Sequence, residues 1–310
     1  MGSLAALRSS ALRALVAVPL VVLAACHHRD TGEEVVVTSS TCLRCAPATK
    51  IGSLTSEEMD ETSGLVASTT REGVYFAHND SGDRARFFAV DERGARLATY
   101  VYSSDRVRDC EDLGIGPCGD GTRGSCLFIG DIGDNLRLRD EISVYRVHEP
   151  DTFTDATVSS DRLRFVYPDG AHNAEALLVH PTTGVLTIVV KEDKRPSGIY
   201  EAPLPFTPGA RATLRRVGSI ASPAGSKRFT GASVRAGEGI LLRTYTHAYF
   251  VRLDPATSVA EALAAPLCSL PVRREETGEA IAWRRDGGGF LTIGEGEGAD
   301  VNFTACTDPR

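Results

Sequence analysis

The chain has 310 residues, 42% of them hydrophobic and 24% charged. Lys and Arg number 34 against 41 Asp and Glu, a formal net charge of −7, which argues against a nucleic-acid partner. Past the first 25 residues no segment reaches the ~18 uncharged apolar residues that a membrane-spanning helix needs.

The N-terminus is read first. Arg8 and Arg13 form a short positive region ahead of an uncharged apolar run from Ala14 to Ala25. That run has the length of a signal-peptide core and is short for a membrane span. It closes on Leu23-Ala24-Ala25-Cys26, which resembles the bacterial lipobox, where cleavage precedes a cysteine that receives lipid. Residues 1–25 are therefore expected to be a signal peptide and Cys26 the lipidated residue. The chain is expected to be anchored to the cell envelope by lipid rather than to span a membrane. The competing reading is an ordinary secretory signal with an incidental thiol. His27, rather than Asp, follows Cys26; by resemblance to sorting signals, this directs the protein to the outer membrane if the host has two. Residues 26–47 are polar and small and carry no helical period, so they read as a tether, with the folded domain at 48–310.

The chain has eight cysteines, as in proteins of an oxidising compartment. Without Cys26 seven remain, so one is free or bonded to another molecule. Cys42 and Cys45 have CxxC spacing but no second CxxC, no following His and no βαβ context. Disulfide or tether chemistry is expected there, with the connectivity open.

From Glu61 onward short β-rich runs recur, punctuated by Gly, Asp and Pro, and no amphipathic helix is evident. Five runs begin alike, at Glu61, Glu111, Glu175, Thr230 and Glu279, roughly 50–65 residues apart. Each is followed by a second and a third apolar run, such as Cys126 to Gly130 and Ile142 to Val147. Four show a fourth, near Leu97 to Tyr102, Arg162 to Tyr167, Thr213 to Ser219 and Leu263 to Leu270. The fifth repeat runs out of chain, and Ala48 to Leu54 stands just before the first repeat where a fourth strand belongs. Four strands per unit predicts an all-β, five-bladed β-propeller whose last blade is completed by the N-terminal strand. Six blades, the alternative, would require the long Glu111–Glu175 interval or another like it to hide a unit.

In such a fold the start of each innermost strand and the end of the second lie on one face. Glu61, Glu111, Glu175 and Glu279, with Thr230, then form one ring at the channel mouth; Asp60, Asp109, Asp112 and Asn173 adjoin it. The second ring holds His78 to Asp83 with Asp80, the Gly130 to Asn135 segment with Asp131, Asp134 and Asn135, then Lys191, Arg243 and Glu295. Facing carboxylates repel unless a cation, water or shared protons relieve them, and Ca2+ prefers such oxygens. The four glutamates are the candidate metal ligands and the second ring the candidate ligand-binding groups. Lys191 and Arg243 could instead neutralise the acids or hold an anionic ligand. A purely structural ring, each Glu capping backbone N–H groups, stands beside these readings. Gly114 to Gly119 matches GxGxxG without a following helix, and there is no GxSxG or P-loop. Trp283 and Phe290 are expected to pack between blades.

Six motifs belong together: Glu61-Thr62-Ser63-Gly64, Asn79-Asp80-Ser81-Gly82-Asp83, Gly130-Asp131-Ile132-Gly133-Asp134-Asn135, Asn173-Ala174-Glu175-Ala176-Leu177, Thr230-Gly231-Ala232 and Gly278-Glu279-Ala280-Ile281-Ala282-Trp283. As a set they resemble a family of exported bacterial β-propeller proteins over about Glu61 to Glu295. In that family an acid tends to follow the fourth motif; here Ser233 stands there. More distantly the arrangement is similar to calcium-dependent lactonase propellers and esterase-like phytase propellers, which implies a hydrolase only by analogy. Three functions follow as expectations. The first is a cell-envelope propeller binding an unidentified small-molecule or protein ligand with a divalent cation at an acidic mouth. The second is a calcium-dependent hydrolase of esters, lactones or phosphoesters, with one glutamate as base. The third is a protein-interaction scaffold.

Overall fold

Runs such as Leu127-Phe128-Ile129 and Ile240-Leu241-Leu242 are apolar at every position because both faces of their sheets are covered. Successive strand side chains point to opposite faces. Leu127 and Ile129 enter one apolar cluster and Phe128 another, while Leu241 likewise parts from Ile240 and Leu242. The computed structural model describes residues 42–309 and folds them into five sheets. The proposed signal peptide, Cys26 and most of the tether lie outside the described residues.

Blade 1 runs outward through Thr62–Ala67, Val74–Asn79, Arg86–Asp91 and Arg96–Val101. Blade 2 is Cys110–Pro117, Ser125–Asp131, Ile142–His148 and Asp161–Val166. Blade 3 is Ala174–Val179, Leu186–Val190, Ser197–Glu201 and Arg215–Ile220. Blade 4 is Phe229–Arg235, Gly239–Thr244, Ala248–Arg252 and Cys268–Leu270. Blade 5 takes Gly278–Trp283, Gly289–Gly294 and Asp300–Thr307, and Thr49–Ser53 then pairs antiparallel with Asp300–Thr307. The innermost strands touch their neighbours in a closed ring, with blade 5 against blade 1. One apolar cluster fills each gap between adjacent blades. The molecule is thus a five-bladed propeller closed by its N-terminal strand.

The long interval between Glu111 and Glu175 holds no sixth blade. Part of it, Ala156–Thr157, pairs parallel with the outer strand of blade 1. In the same way Arg211–Thr213 pairs with the outer strand of blade 2. Both short strands cover edges that would otherwise be open. Before the fourth strand of blade 4 the expected run from Leu263 is instead preceded by a helical turn, Val259–Ala262, capped reciprocally by Ser258 and Glu261. Trp283 and Phe290 do pack in the cluster between blades 4 and 5, and the indole Nε1 donates to Gly239 O at 3.0 Å.

Three disulfides tie the described residues. Cys42 bonds Cys268 in blade 4, Cys45 bonds Cys306 in blade 5, and Cys118 bonds Cys126. The two CxxC cysteines therefore bind different blades rather than each other. Arg44–Cys45 also pairs with Asp300–Thr307, so part of the segment read as tether is attached to blade 5. Among the described residues Cys110 is the buried free thiol.

Candidate functional site

All five innermost strands share one irregularity. Their register slips between Thr62 and Gly64, Cys110 and Asp112, Ala174 and Ala176, Phe229 and Gly231, and Gly278 and Ala280. Such a bulge inserts one residue and re-aims its side chain. The five inserted residues are Ser63, Glu111, Glu175, Thr230 and Glu279. The mouth is therefore ringed by three glutamates and two hydroxyls. The ring position of blade 1 belongs to Ser63; Glu61, expected there, lies two residues earlier and is exposed. The two hydroxyls bond along the ring, Ser63 Oγ to Glu111 O and Thr230 Oγ1 to Gly278 O. The residue after each bulge is small where the next blade crowds it; a Cβ on Gly231 would come within 2.6 Å of Glu279 O. Asp112 is the exception. Its carboxylate accepts N–H bonds from Leu177 in blade 3 at 2.8 Å and Ala232 in blade 4 at 3.1 Å, which joins three blades within the channel.

The three ring glutamates are each no more than 3% exposed. Glu111 meets two acids from flanking loops: Asp80, after the second strand of blade 1, and Asp109, just before blade 2. One carboxylate oxygen from each of the three lies within 4.8 Å of the others. Gly133 backs this trio so closely that a Cβ there would stand 2.2 Å from Glu111 Oε1 and 2.5 Å from Asp109 Oδ2. Glu175 pairs with Lys191, whose Nζ lies 5.0 Å from the centre of the Tyr245 ring. Oε2 of Glu175 and Oε2 of Glu279 are buried and have no hydrogen-bond partner.

Burial and mutual repulsion favour protons on these acids. Burial pushes Asp80 up to about 7, and Asp109, Glu295 and Glu61 add to it. Glu175 also stands at about 7, raised by burial against the pull of Lys191. Glu279 is pushed up to about 9, by burial first and then by Glu175 and Glu295. Glu111 is driven well above the usual range by burial and then by Glu175, Asp80 and Asp109. Asp109 and Glu295 are raised as well, burial again leading.

The other expected ligand-binding residues divide. Glu295 belongs to this acidic mouth. Asp131 is taken up by Arg139 at 2.7 Å and by the Asp109 N–H. Asp134 accepts the Arg139 N–H, and Asn135 accepts from Asn173, so these three side chains shape the loop that carries Gly133. Arg243 does not face the mouth as a free cation. It is 1% exposed and bonds Glu275 at 2.6 Å, with Glu275 also held by Thr292 and Asn302 from blade 5. A second metal-like group, Cys118, Cys126 and His148, is closed by the Cys118–Cys126 disulfide.

Fold and site together define a five-bladed propeller with a carboxylate-lined mouth. No family model matches the sequence, and no curated protein matches it. Solved structures similar to this chain include a glucose dehydrogenase, with 9% identity, 83% of this chain and 99% of that one covered, and a TM-score of 0.46. A gluconolactonase from Xanthomonas campestris gives 12% identity, 85% and 96% coverage, and a TM-score of 0.47. A streptogramin B lyase gives 9%, 84% and 97%, and 0.42.

Proposed function

We propose that the protein is a lipid-anchored propeller of the cell envelope that binds a ligand together with a divalent cation, Ca2+, at its acidic mouth. The observation that supports this reading is the convergence of Asp80, Asp109 and Glu111, with one oxygen from each inside a 4.8 Å span. Ca2+ takes oxygen ligands at roughly 2.3–2.6 Å, so three oxygens so spaced fit one ion. Positive charge there would also relieve Glu175 and Glu279, whose Oε2 atoms are buried and lack partners. Lys191, beside Glu175 and Tyr245, would meet an anionic or carbonyl group of the ligand.

Calorimetric titration of Ca2+ into metal-free protein tests this. One site is expected, weakened at least tenfold in Asp80→Asn/Glu111→Gln. Gly133→Ala keeps every carboxylate but displaces two of them, and the same loss is expected. Absence of binding in the wild type, or equal binding in both variants, sinks the reading.

A hydrolase is the second reading, favoured by Glu175. At about 7 it can exchange a proton near neutral pH, as a general base must. Membrane attachment rests on the lipobox resemblance at Cys26. Cys26→Ser is expected to abolish incorporation of labelled lipid and release the protein from the membrane fraction; unchanged lipid labelling would refute it.

A further inference from the structure

The innermost strands have a second set of ends, four to six residues from the bulges and so roughly 13–20 Å away at ~3.3 Å per residue. There they surround a cavity of about 340 Å³, within the range of about 300–1,000 Å³ usual for small-molecule pockets. Every blade contributes to its apolar wall: Val66, Ile115, Pro181, Val234 and Trp283, in order of blade. Its charged lining is of one sign. Arg235, Arg284 and Arg285 line it, and no Asp or Glu does so among the described residues.

Each guanidinium is fixed by at least one acid that does not line the cavity. Arg235 bonds Glu238 at 2.9 Å and donates to Arg285 O, and it lies so near Gly287 that a Cβ there would stand 2.8 Å from Nη1. Arg284 pairs with Asp286 at 3.1 Å and with Glu92 at 4.0 Å, and Arg285 pairs with Glu72 at 3.4 Å and donates to Thr69 O at 2.9 Å. None of the four acids that fix these groups lines the cavity. The guanidinium groups are thus positioned while their acidic partners stay off the wall. Planar guanidinium forks match carboxylates, and the apolar wall calls for a hydrocarbon body.

We propose that this cavity, at the opposite end of the channel from the acidic mouth, is a second binding site, for a small molecule with an apolar chain or ring and a carboxylate head. It shares no residue with the cation site and stands or falls independently of it. Trp283 makes the test direct, because it is the chain's one tryptophan and lines the cavity.

Decanoate titrated into the purified full chain is expected to shift Trp283 emission saturably. Decanol and decyltrimethylammonium are expected to bind at least tenfold more weakly. Arg284→Gln/Arg285→Gln should weaken decanoate tenfold or more while the unfolding temperature stays near that of the wild type. Ala67→Leu, which fills the cavity without touching charge, should weaken decanoate similarly. The proposal is overturned by the absence of a saturable shift or by decanol binding as tightly as decanoate. It is equally overturned if neither variant changes affinity, which would place binding elsewhere, for example on the exposed Leu136 and Leu138.

Discussion

Replacing Cys42 and Cys45 together by Ser is expected to lower stability by about 4–6 kcal/mol, far beyond a typical surface change. The two bonds close chain separations of 226 and 261 residues. In the chain-entropy model one loop of that length is worth about 5 kcal/mol. The second bond starts three residues later, so most of its loop is already closed and it adds less. Mechanically, the pair pins Arg44–Cys45 and Thr49–Ser53 onto Asp300–Thr307. Without that pinning the outer edge of blade 5 is free to fray, and closure of the ring depends on one short strand. At about 2–4 °C per kcal/mol for a domain of this size, the melting temperature should fall by roughly 10–20 °C. Cys118→Ser/Cys126→Ser is the control, because its separation is only 8 residues and the same model gives about 2.5 kcal/mol. Non-reducing thermal melts of both variants decide the matter. Equal losses in the two would show that the N-terminal bonds act as local staples and not as the clasp of the ring.

The propeller was legible in the sequence because its physics is repeated. Five blades bury both faces of their sheets, so five sets of unbroken apolar runs recur at similar spacing. The absence of a fourth run after Asn302, with a spare one at Ala48 to Leu54, pointed to closure. The mouth was legible only in part. Glu111, Glu175, Thr230 and Glu279 align because each stands just ahead of its apolar run, with a small residue between for all but Glu111, which Asp112 follows. Glu61 was aligned on its letter, although the bulge inserts Ser63. The signal that could have found this is the small residue after the bulge in four of the five blades: Gly64 corresponds to Ala176, Gly231 and Ala280, which puts Ser63 in the ring. Asp80 and Asp109 come from loops before and after strands, and nothing in a linear pattern says that these loops meet. Asp131, Asp134, Asn135 and Arg243 have the chemistry of a site but are consumed by neighbours, which only packing reveals. Disulfide partners more than 200 residues apart are equally silent in a sequence.

Between pH 7 and pH 9 the metal-free protein is expected to lose stability as pH rises, opposite to proteins whose carboxylates are held low by ion pairs. The sign follows from which state holds the protons. In the unfolded chain a carboxylate titrates near 4 and carries no proton in this window. In the folded chain Glu279 keeps its proton up to about 9, and Asp80 and Glu175 keep theirs up to about 7. The folded state therefore binds more protons, and stability falls with pH until those groups ionise. One proton over most of two pH units, at about 1.4 kcal/mol per unit, with smaller shares from Asp80 and Glu175, amounts to about 2–3 kcal/mol. The melting temperature should drop by roughly 5–10 °C. Ca2+ must compete with the protons favoured on Asp80, Asp109 and Glu111, so it should bind more tightly and stabilise more at pH 9 than at pH 7. Glu279→Gln removes a group that gives up its proton at about 9, inside this window, and should reduce the pH dependence of the metal-free protein. Thermal melts across the window, with chelator and with Ca2+, measure both effects. A flat profile in chelator would refute the proton-loaded mouth. A Ca2+ shift that shrinks as pH rises would refute the competition and place the ion away from Asp80, Asp109 and Glu111.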